Sequence, residues 1–374
     1  MQVRNKRLDV LRCIAVLLVV LYHGPVRSCL ASAGWVGVDL FFVLSGFLIS
    51  GLLFSEYKQR GEIIFKRFII RRGFKIYPAF YILVLGNLMI EIHRHRFSSV
   101  GQYLSEIFYV QNYGEFIFPH TWTLAVEEQF YILLPIFLLL LIRFSSNRAD
   151  PFRSLPLAFV VVALTCLILR IVAAFRIPLA DLQFWLALRK VSAPTHERID
   201  SLFFGVLLGY LAHFRPGFLD ALFGRGRNRW IFAILAAAML LWVFLIPPQN
   251  RFTFTIGYTM LYVGFGVVLM LCLYSRGIVP ARLAGTLAVV GNGFAFVGMY
   301  SYSIYLWHLT APYLAWHFVR RSLPATQLSF DAVYFVVSIG FGILMARLIE
   351  SPFLSLRDRI FPSIQSKPPV TGPR

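Results

Sequence analysis

The sequence predicts an all-α, polytopic integral membrane protein with about ten transmembrane helices and both termini in the cytoplasm. Three observations predict it. Apolar residues make up 58% of the 374 and charged ones only 14%, at a mean hydropathy of +0.71, a balance that excludes an ordinary soluble domain. Apolar stretches of spanning length, about 20 residues, recur along the whole chain. Lys and Arg, which give a formal net charge of +19, gather in alternate loops, as they do on the cytoplasmic side of membrane proteins.

The spans follow in order. Residues 10–24 form the first, with Asp9 and Arg12 at its start and His23 near its far end. The eleven-residue step from Arg12 to His23 returns to nearly the same helical face about 16 Å along the axis. The second span, 36–54, opens on Asp39; the third, 74–91, begins after Arg71 and Arg72 with Ile76-Tyr77-Pro78; the fourth, 124–142, follows Trp122 and opens on Glu127 and Glu128. The sixth, 200–214, opens on Arg198 and Asp200, and the ninth, 296–318, carries His308. The fifth (155–175), seventh (230–246) and eighth (254–274) are read from apolar length, and the tenth (329–349) leads into Glu350 and Pro352. A transmembrane domain over 1–354 is therefore expected, with a disordered, Pro-rich cytoplasmic tail over 355–374.

With the N-terminus inside, Arg4, Lys6, Arg7, the cluster Lys58 to Lys75, Arg143, Arg148, Arg153, Arg215, Arg225, Arg227, Arg229, Arg276, Arg282, Arg357, Arg359, Lys367 and Arg374 fall on the cytoplasmic side. That gives about 23 basic residues inside against about 10 outside. The excess also suits anionic lipid headgroups, whereas a nucleic-acid partner lacks any soluble module or aromatic-basic platform. Cys13, Cys29, Cys166 and Cys272 include no C-x-x-C pair, which points to packing rather than to disulfides or a thiolate metal site. Arg4, Lys6, Arg7 and Ala31-Ser32-Ala33 imitate a signal peptide, but Asp9 and Arg12 interrupt its apolar run.

Threading the spans sorts the polar residues into two layers. His23, Asp39, Glu127, Glu128, Arg198, Asp200 and, deeper, His308 fall in the outer half; Asp9, Arg12, Arg71, Arg72, Arg347 and Glu350 fall in the inner one. Ionisable groups in a membrane helix cost roughly 2.5–3.5 kcal/mol each on insertion scales, so Arg12 and His23 in one span call for a use. Plainer roles exist for others: helix capping for Asp39, Glu127, Glu128 and Asp200, positive-inside anchoring for Arg71 and Arg72, an interhelical hydrogen bond for His308. Glu127 and Glu128 point about 100° apart, and Glu128 is the one expected to share a cavity with His23. Trp122, Tyr131, Tyr302 and Tyr305 suit either a sugar site or an interfacial belt. His93, His95 and His120 read as solvated loop histidines with no metal-site spacing, and Gly46, Gly51, Gly205 and Gly209 as helix-packing positions.

An outer histidine near carboxylates suits removal of a proton from an alcohol. Inner arginines suit a phosphorylated ligand, which a guanidinium binds through two parallel hydrogen bonds. Together they describe transfer from a phosphate-bearing acyl donor inside to a hydroxyl acceptor outside. A proton-coupled transporter of a small solute or glycan precursor is the rival reading, because the same intramembrane charges mark ion paths.

Seven motifs stand in order: Arg7-x-Asp9-x-x-Arg12 continuing to His23; Gly37-Val-Asp39-Leu-Phe-Phe-Val-Leu-Ser45-Gly46-Phe; Arg71-Arg72-x3-Ile76-Tyr77-Pro78; Trp122-Thr-Leu-Ala-Val-Glu127-Glu128-Gln-Phe130-Tyr131; Arg198-x-Asp200-x-Leu202-x-x-Gly205; Ser301-Tyr-Ser-Ile-Tyr305-Leu-Trp-His308; and Glu350-x-Pro352. From Arg7 to Pro352 the chain resembles the acyltransferase 3 family of membrane O-acyltransferases, with Thr123 a mild departure where Ser is common. The resemblance implies ten spans in the cytoplasmic membrane and a cytoplasmic acyl-CoA co-substrate, usually acetyl-CoA, with no permanently bound cofactor. It also implies a carbohydrate or glycoconjugate acceptor in the cell envelope. Arg12 and His23 match the family's essential first-helix motif, and Asp39 the acidic residue of the second helix. Some relatives carry an extracellular hydrolase-like domain that this sequence does not show, so the membrane domain alone is expected to modify the acceptor. On this reading His23 is general base, oriented by Asp39 or Glu128, and Arg12 steadies the donor or the thioester oxyanion. Arg12, Arg71 and Arg72 then bind the donor, and Trp122, Tyr131, Arg198, Asp200, Tyr305 and His308 the acceptor. An acyl-imidazole on His23 is the competing route.

Overall fold

The computed structural model describes residues 5–95, 98–177, 188–224, 226–274, 281–322 and 327–362, and among them it is helical throughout, with no strand. Arg4, Arg225, Arg276, Lys367, Arg374 and the tail from 363 onward lie outside the described residues, as does the side chain of Arg282. Helix α1 (Lys6–His23) starts where the Asn5 side chain accepts from the Arg7 amide. A short helix α2 (Cys29–Ala33) and one tight turn lead into α3 (Gly37–Arg60), which stops at Gly61, in the left-handed region at φ 74°. Then come α4 (Phe65–His93), the capping-box helix α5 (Val100–Ile107), α6 (Trp122–Phe144) and α7 (Leu155–Arg176). Helices α8 (Thr195–Phe214) and α9 (Pro216–Phe223) meet at a bend of 103°, where Pro216 has no amide to continue the ladder.

The remainder comprises α10 (Gly226–Leu240), α11 (Tyr258–Tyr274), α12 (Ala281–Met299), α13 (Ser301–Trp307), α14 (Ala311–Ser322), α15 (Gln327–Met345) and α16 (Ser351–Ile360). Among the described residues seven helical stretches are long and apolar enough to cross a membrane, or eight with the bent α8–α9 pair. They make this a multi-pass membrane protein. Helix α1 does not reach that apolarity, because Lys6, Arg7, Asp9 and Arg12 occupy its first two turns.

Two expectations are corrected. The stretch 296–318 is not one continuous helix: it breaks at Tyr300 and again at the tight turn His308–Thr310, since Pro312 would clash with the carbonyl four residues back, that of His308. The segment from 355 is ordered as helix as far as Ile360, and α16 packs against α4.

Helix α3 lies at the centre, in the most deeply buried of the spanning stretches (61%), whereas α7 and α10 bury only 17% and 11% and turn apolar side chains such as Val160, Leu164, Ile231 and Ile234 outward. Small residues allow the central helices to touch, as membrane bundles require in the absence of a strong hydrophobic drive between helices. A Cβ on Gly46 would meet the Leu202 carbonyl at 1.9 Å, and one on Gly205 the Val43 carbonyl at 2.3 Å, so α3 and α8 meet backbone to backbone. Gly298 does the same for α12 against Asp9 of α1. The packing roles expected for Gly46, Gly205 and Gly209 are seen, while a Cβ on Gly51 would meet only the His213 ring, at 3.3 Å. Cys13 and Cys166 are buried as expected, but Cys29 is exposed.

Candidate active site

Two cavities lie along α1, one at the level of Arg12 and one at the level of His23. The Arg12 cavity, about 330 Å³, draws cations from α1 (Arg12), α4 (Arg72, Lys75) and α16 (Arg357), carboxylates from α6 (Glu127, Glu128), and hydroxyls from Ser45, Thr123, Tyr131, Ser301 and Tyr302. The His23 cavity, about 510 Å³, is lined by Tyr22, Arg27, Trp35, Asp39, His120, Trp122, Arg198 and Tyr258 among others. Val38 and Tyr305 line both. The Tyr305 hydroxyl is held there by Thr123 Oγ1 at 2.6 Å and by donation to the His120 carbonyl at 2.9 Å.

In the first cavity Arg12 also pairs with Asp9 at 3.5 Å. Arg72 sits over the Tyr131 ring at 5.0 Å, and the Tyr131 hydroxyl donates to Glu127. Lys75 pairs with Glu350, whose buried carboxylate it reaches from α4. Arg71 does not line the cavity: it turns to Asp358 at 3.2 Å and to the Phe361 carbonyl, tying α4 to α16. Glu128, expected beside His23, lines this cavity together with Glu127, because both stand one turn or more inside α6 on the side of Arg72.

In the second cavity His23 Nδ1 lies 3.0 Å from the Val19 carbonyl and 3.2 Å from Nε2 of His308. Asp39 is not its partner. That carboxylate accepts from Arg198 at 2.7 Å, and the Arg198 guanidinium lies 3.7 Å over the Tyr258 ring, with Phe42 and Trp122 nearby. Burial strips both charges of water, and their mutual pairing and the aromatic faces replace part of it. Among the described residues Asp39 Oδ2, Arg198 Nε and Nη1, Trp35 Nε1 and His120 Nδ1 are buried without a hydrogen-bond partner, all on residues that line this cavity. Asp200 lines neither cavity. It forms a fully buried pair with Arg170 at 2.8 Å, and Arg170 also donates to the Glu197 carbonyl and to Thr259.

His308 is fully buried, absent from both cavity linings, and bound through Nδ1 to the Tyr305 carbonyl at 2.6 Å. His120 is no solvated loop residue: only 3% exposed, it donates Nε2–H to the Leu306 carbonyl and lies 5.1 Å from the His308 ring, 4.9 Å from which lies the ring of His23. Burial, then the neighbouring His23 charge, pushes His120 down to about 3, so it stays neutral. Sequence reasoning missed His120, Lys75, Arg357 and Arg170. A signal existed for Arg170, a lone cation deep in an apolar span, by the argument applied to Arg12. None existed for His120, whose loop only the fold folds inward.

A protein of Staphylococcus aureus (strain COL) named "Putative O-acetyltransferase" is 28% identical over 371 residues, covering 92% of this chain and 56% of its own length. The Listeria monocytogenes "Peptidoglycan O-acetyltransferase OatA" is 33% identical over 158 residues, 37% of this chain and 25% of that protein. A Bacillus subtilis "Putative peptidoglycan O-acetyltransferase" is 35% identical over 160 residues, 38% and 25% of the two chains. The chain thus spans about half the length of the first of these, and less of the others is matched. No solved structure matches it. The family model described as an acyltransferase domain matches residues 5–347, nearly the whole sequence, and the chain therefore belongs to the acyltransferase 3 family.

Proposed function

We propose that this protein is a membrane O-acyltransferase that moves an acyl group, acetyl in the first instance, from cytoplasmic acyl-CoA to a hydroxyl of a carbohydrate or glycoconjugate, with His23 as general base. The observation that carries the proposal is the meeting of two chemically different cavities at Val38 and Tyr305. One is rich in cations suited to the phosphates of a donor; the other offers an imidazole and unpaired polar atoms suited to hydroxyls. The names of the Listeria and Bacillus relatives support a glycan as acceptor.

In this reading Arg12, Arg72, Lys75 and Arg357 hold the phosphates, with Arg71 supporting α16 rather than the donor. Trp122, Arg198 and Asp39 contact the acceptor, while Tyr305 and Val38 form the wall at which donor and acceptor meet. Tyr131 belongs to the donor side, and Asp200 and His308 act through other residues. His23 takes the acceptor's proton as its oxygen forms the ester bond and the thioester C–S bond breaks. It then returns that proton to the departing thiolate. Thr123 and Tyr305 both donate to the His120 carbonyl, which fixes Tyr305 at the shared wall.

The basic residues of the loops favour ten spans in the cytoplasmic membrane with both termini inside, which puts the Arg12 cavity on the cytoplasmic side. Residues 1–354 constitute the transmembrane domain in this scheme, with α16 belonging to the catalytic unit. Mass spectrometry of surface and secreted glycans, with the gene, without it and with His23→Ala, tests the proposal. An added acetyl mass that disappears in both is expected. Acetylation that persists with a folded His23→Ala protein would falsify the assignment.

A further inference from the structure

We propose that His308 is the positioning residue of His23: it accepts the Nδ1–H of His23, leaves Nε2 of His23 as the lone pair that meets the acceptor, and shares the proton that His23 takes up. This rests on the acyl-transfer reading above. A carbonyl oxygen can only accept, so the Tyr305 carbonyl at 2.6 Å places a proton on His308 Nδ1. In the neutral ring Nε2 of His308 is then an acceptor. By the same logic the Val19 carbonyl, 3.0 Å away, places a proton on Nδ1 of His23. Because Nε2 of His308 has no proton, the 3.2 Å contact between the rings is a second branch of the same His23 Nδ1–H, shared between the Val19 carbonyl and His308 Nε2. The one ring nitrogen of His23 left with a lone pair is Nε2, and His23 lines the cavity.

Among the described residues the nearby carboxylates are engaged elsewhere. Asp39 is held by Arg198, and Glu127 and Glu128 lie in the other cavity. Among the described residues, polar side chains near His23 include the Tyr22 ring at 5.1 Å, His120, and Arg27, which lines the same cavity. When Nε2 of His23 accepts the hydroxyl proton, one positive charge is added to the pair, and the Nδ1 proton can move to His308. Charge then spreads over two rings, and the Tyr305 carbonyl stabilises the second. As the thiolate leaves, Nε2–H supplies its proton and the shared proton returns to Nδ1, which restores the starting state.

The full-length protein, labelled with 15N-histidine and reconstituted in lipid, tests this without substrate. A nitrogen–nitrogen coupling between His23 and His308 across the hydrogen bond is expected, absent in His308→Leu. With acetyl-CoA and a soluble glycan, His308→Leu should lower kcat by about 10²-fold at little change in KM. His308→Gln, whose amide oxygen can accept Nδ1–H but cannot take the proton, should restore part of that loss. Absence of the coupling in the wild type, or an unchanged kcat in a folded His308→Leu protein, overturns the inference. A wild type that shows the coupling and transfers no acetyl group would instead support the pairing and overturn the proposed function.

Discussion

Arg170 and Asp200 form a pair with no exposed surface, away from both cavities, and Asp200 therefore acts on stability rather than on the acceptor. Removing either partner leaves a buried charge without compensation, which costs about 3–5 kcal/mol. Asp200→Ala and Arg170→Ala should each lower thermal stability in detergent, and Arg170→Met combined with Asp200→Leu should regain most of it. Single variants as stable as the parent would show that the pair contributes nothing. At this scale four charges read from their place in apolar spans, Arg12, His23, Asp39 and Arg198, all line a cavity, whereas Arg170, open to the same argument, was missed. Partner choice was not legible, because Asp39 and Arg198 are 159 positions apart and His23 and His308 are 285 apart.

Helix contacts decide how closely the charged groups approach one another. Gly205→Leu would drive a side chain into the Val43 carbonyl and the Phe47 amide of α3, so little folded protein should be recovered on size-exclusion chromatography. Gly86→Ala, in α4 with open space around it, should be tolerated. The loop that carries His120 has its own anchor in α5, where the Glu106 carboxylate accepts from the Ile117 and Phe118 amides and the Thr121 hydroxyl. Burial raises Glu106 from 4.5 to about 7 despite those bonds. The folded state therefore holds this proton more tightly than the unfolded chain. The contribution is complete below about pH 4.5 and is lost as pH rises through about 7. Hydrogen exchange of the 115–121 amides should quicken over that window, and Glu106→Gln should flatten the change; an unaltered profile in the variant would refute the link. Apolar length read most helices to within a few residues, but it missed the break at Tyr300 and the one at His308, of which the second follows from Pro312.

For the whole molecule, the loop charges predict an orientation that one cysteine can report. Cys29 is exposed between α1 and α3, whereas Cys13 and Cys166 are buried. A membrane-impermeant maleimide added to intact cells should label Cys29 and lose its target in Cys29→Ser, while labelling only after permeabilisation would invert the assigned sides. Composition and apolar periodicity by themselves determined that the chain is helical and crosses a membrane several times, because lipid admits few other ways to satisfy a backbone. The ordered motifs determined the family, and the two polar depths of α1 followed from helical rise alone. Only the tertiary structure decided that Glu128 joins the arginines, that Asp39 answers Arg198, and that three histidines from α1, a loop and a turn converge. The physical reason is that pairing across helices depends on rotation and close approach, which glycines such as Gly46 and Gly205 permit but no local pattern encodes.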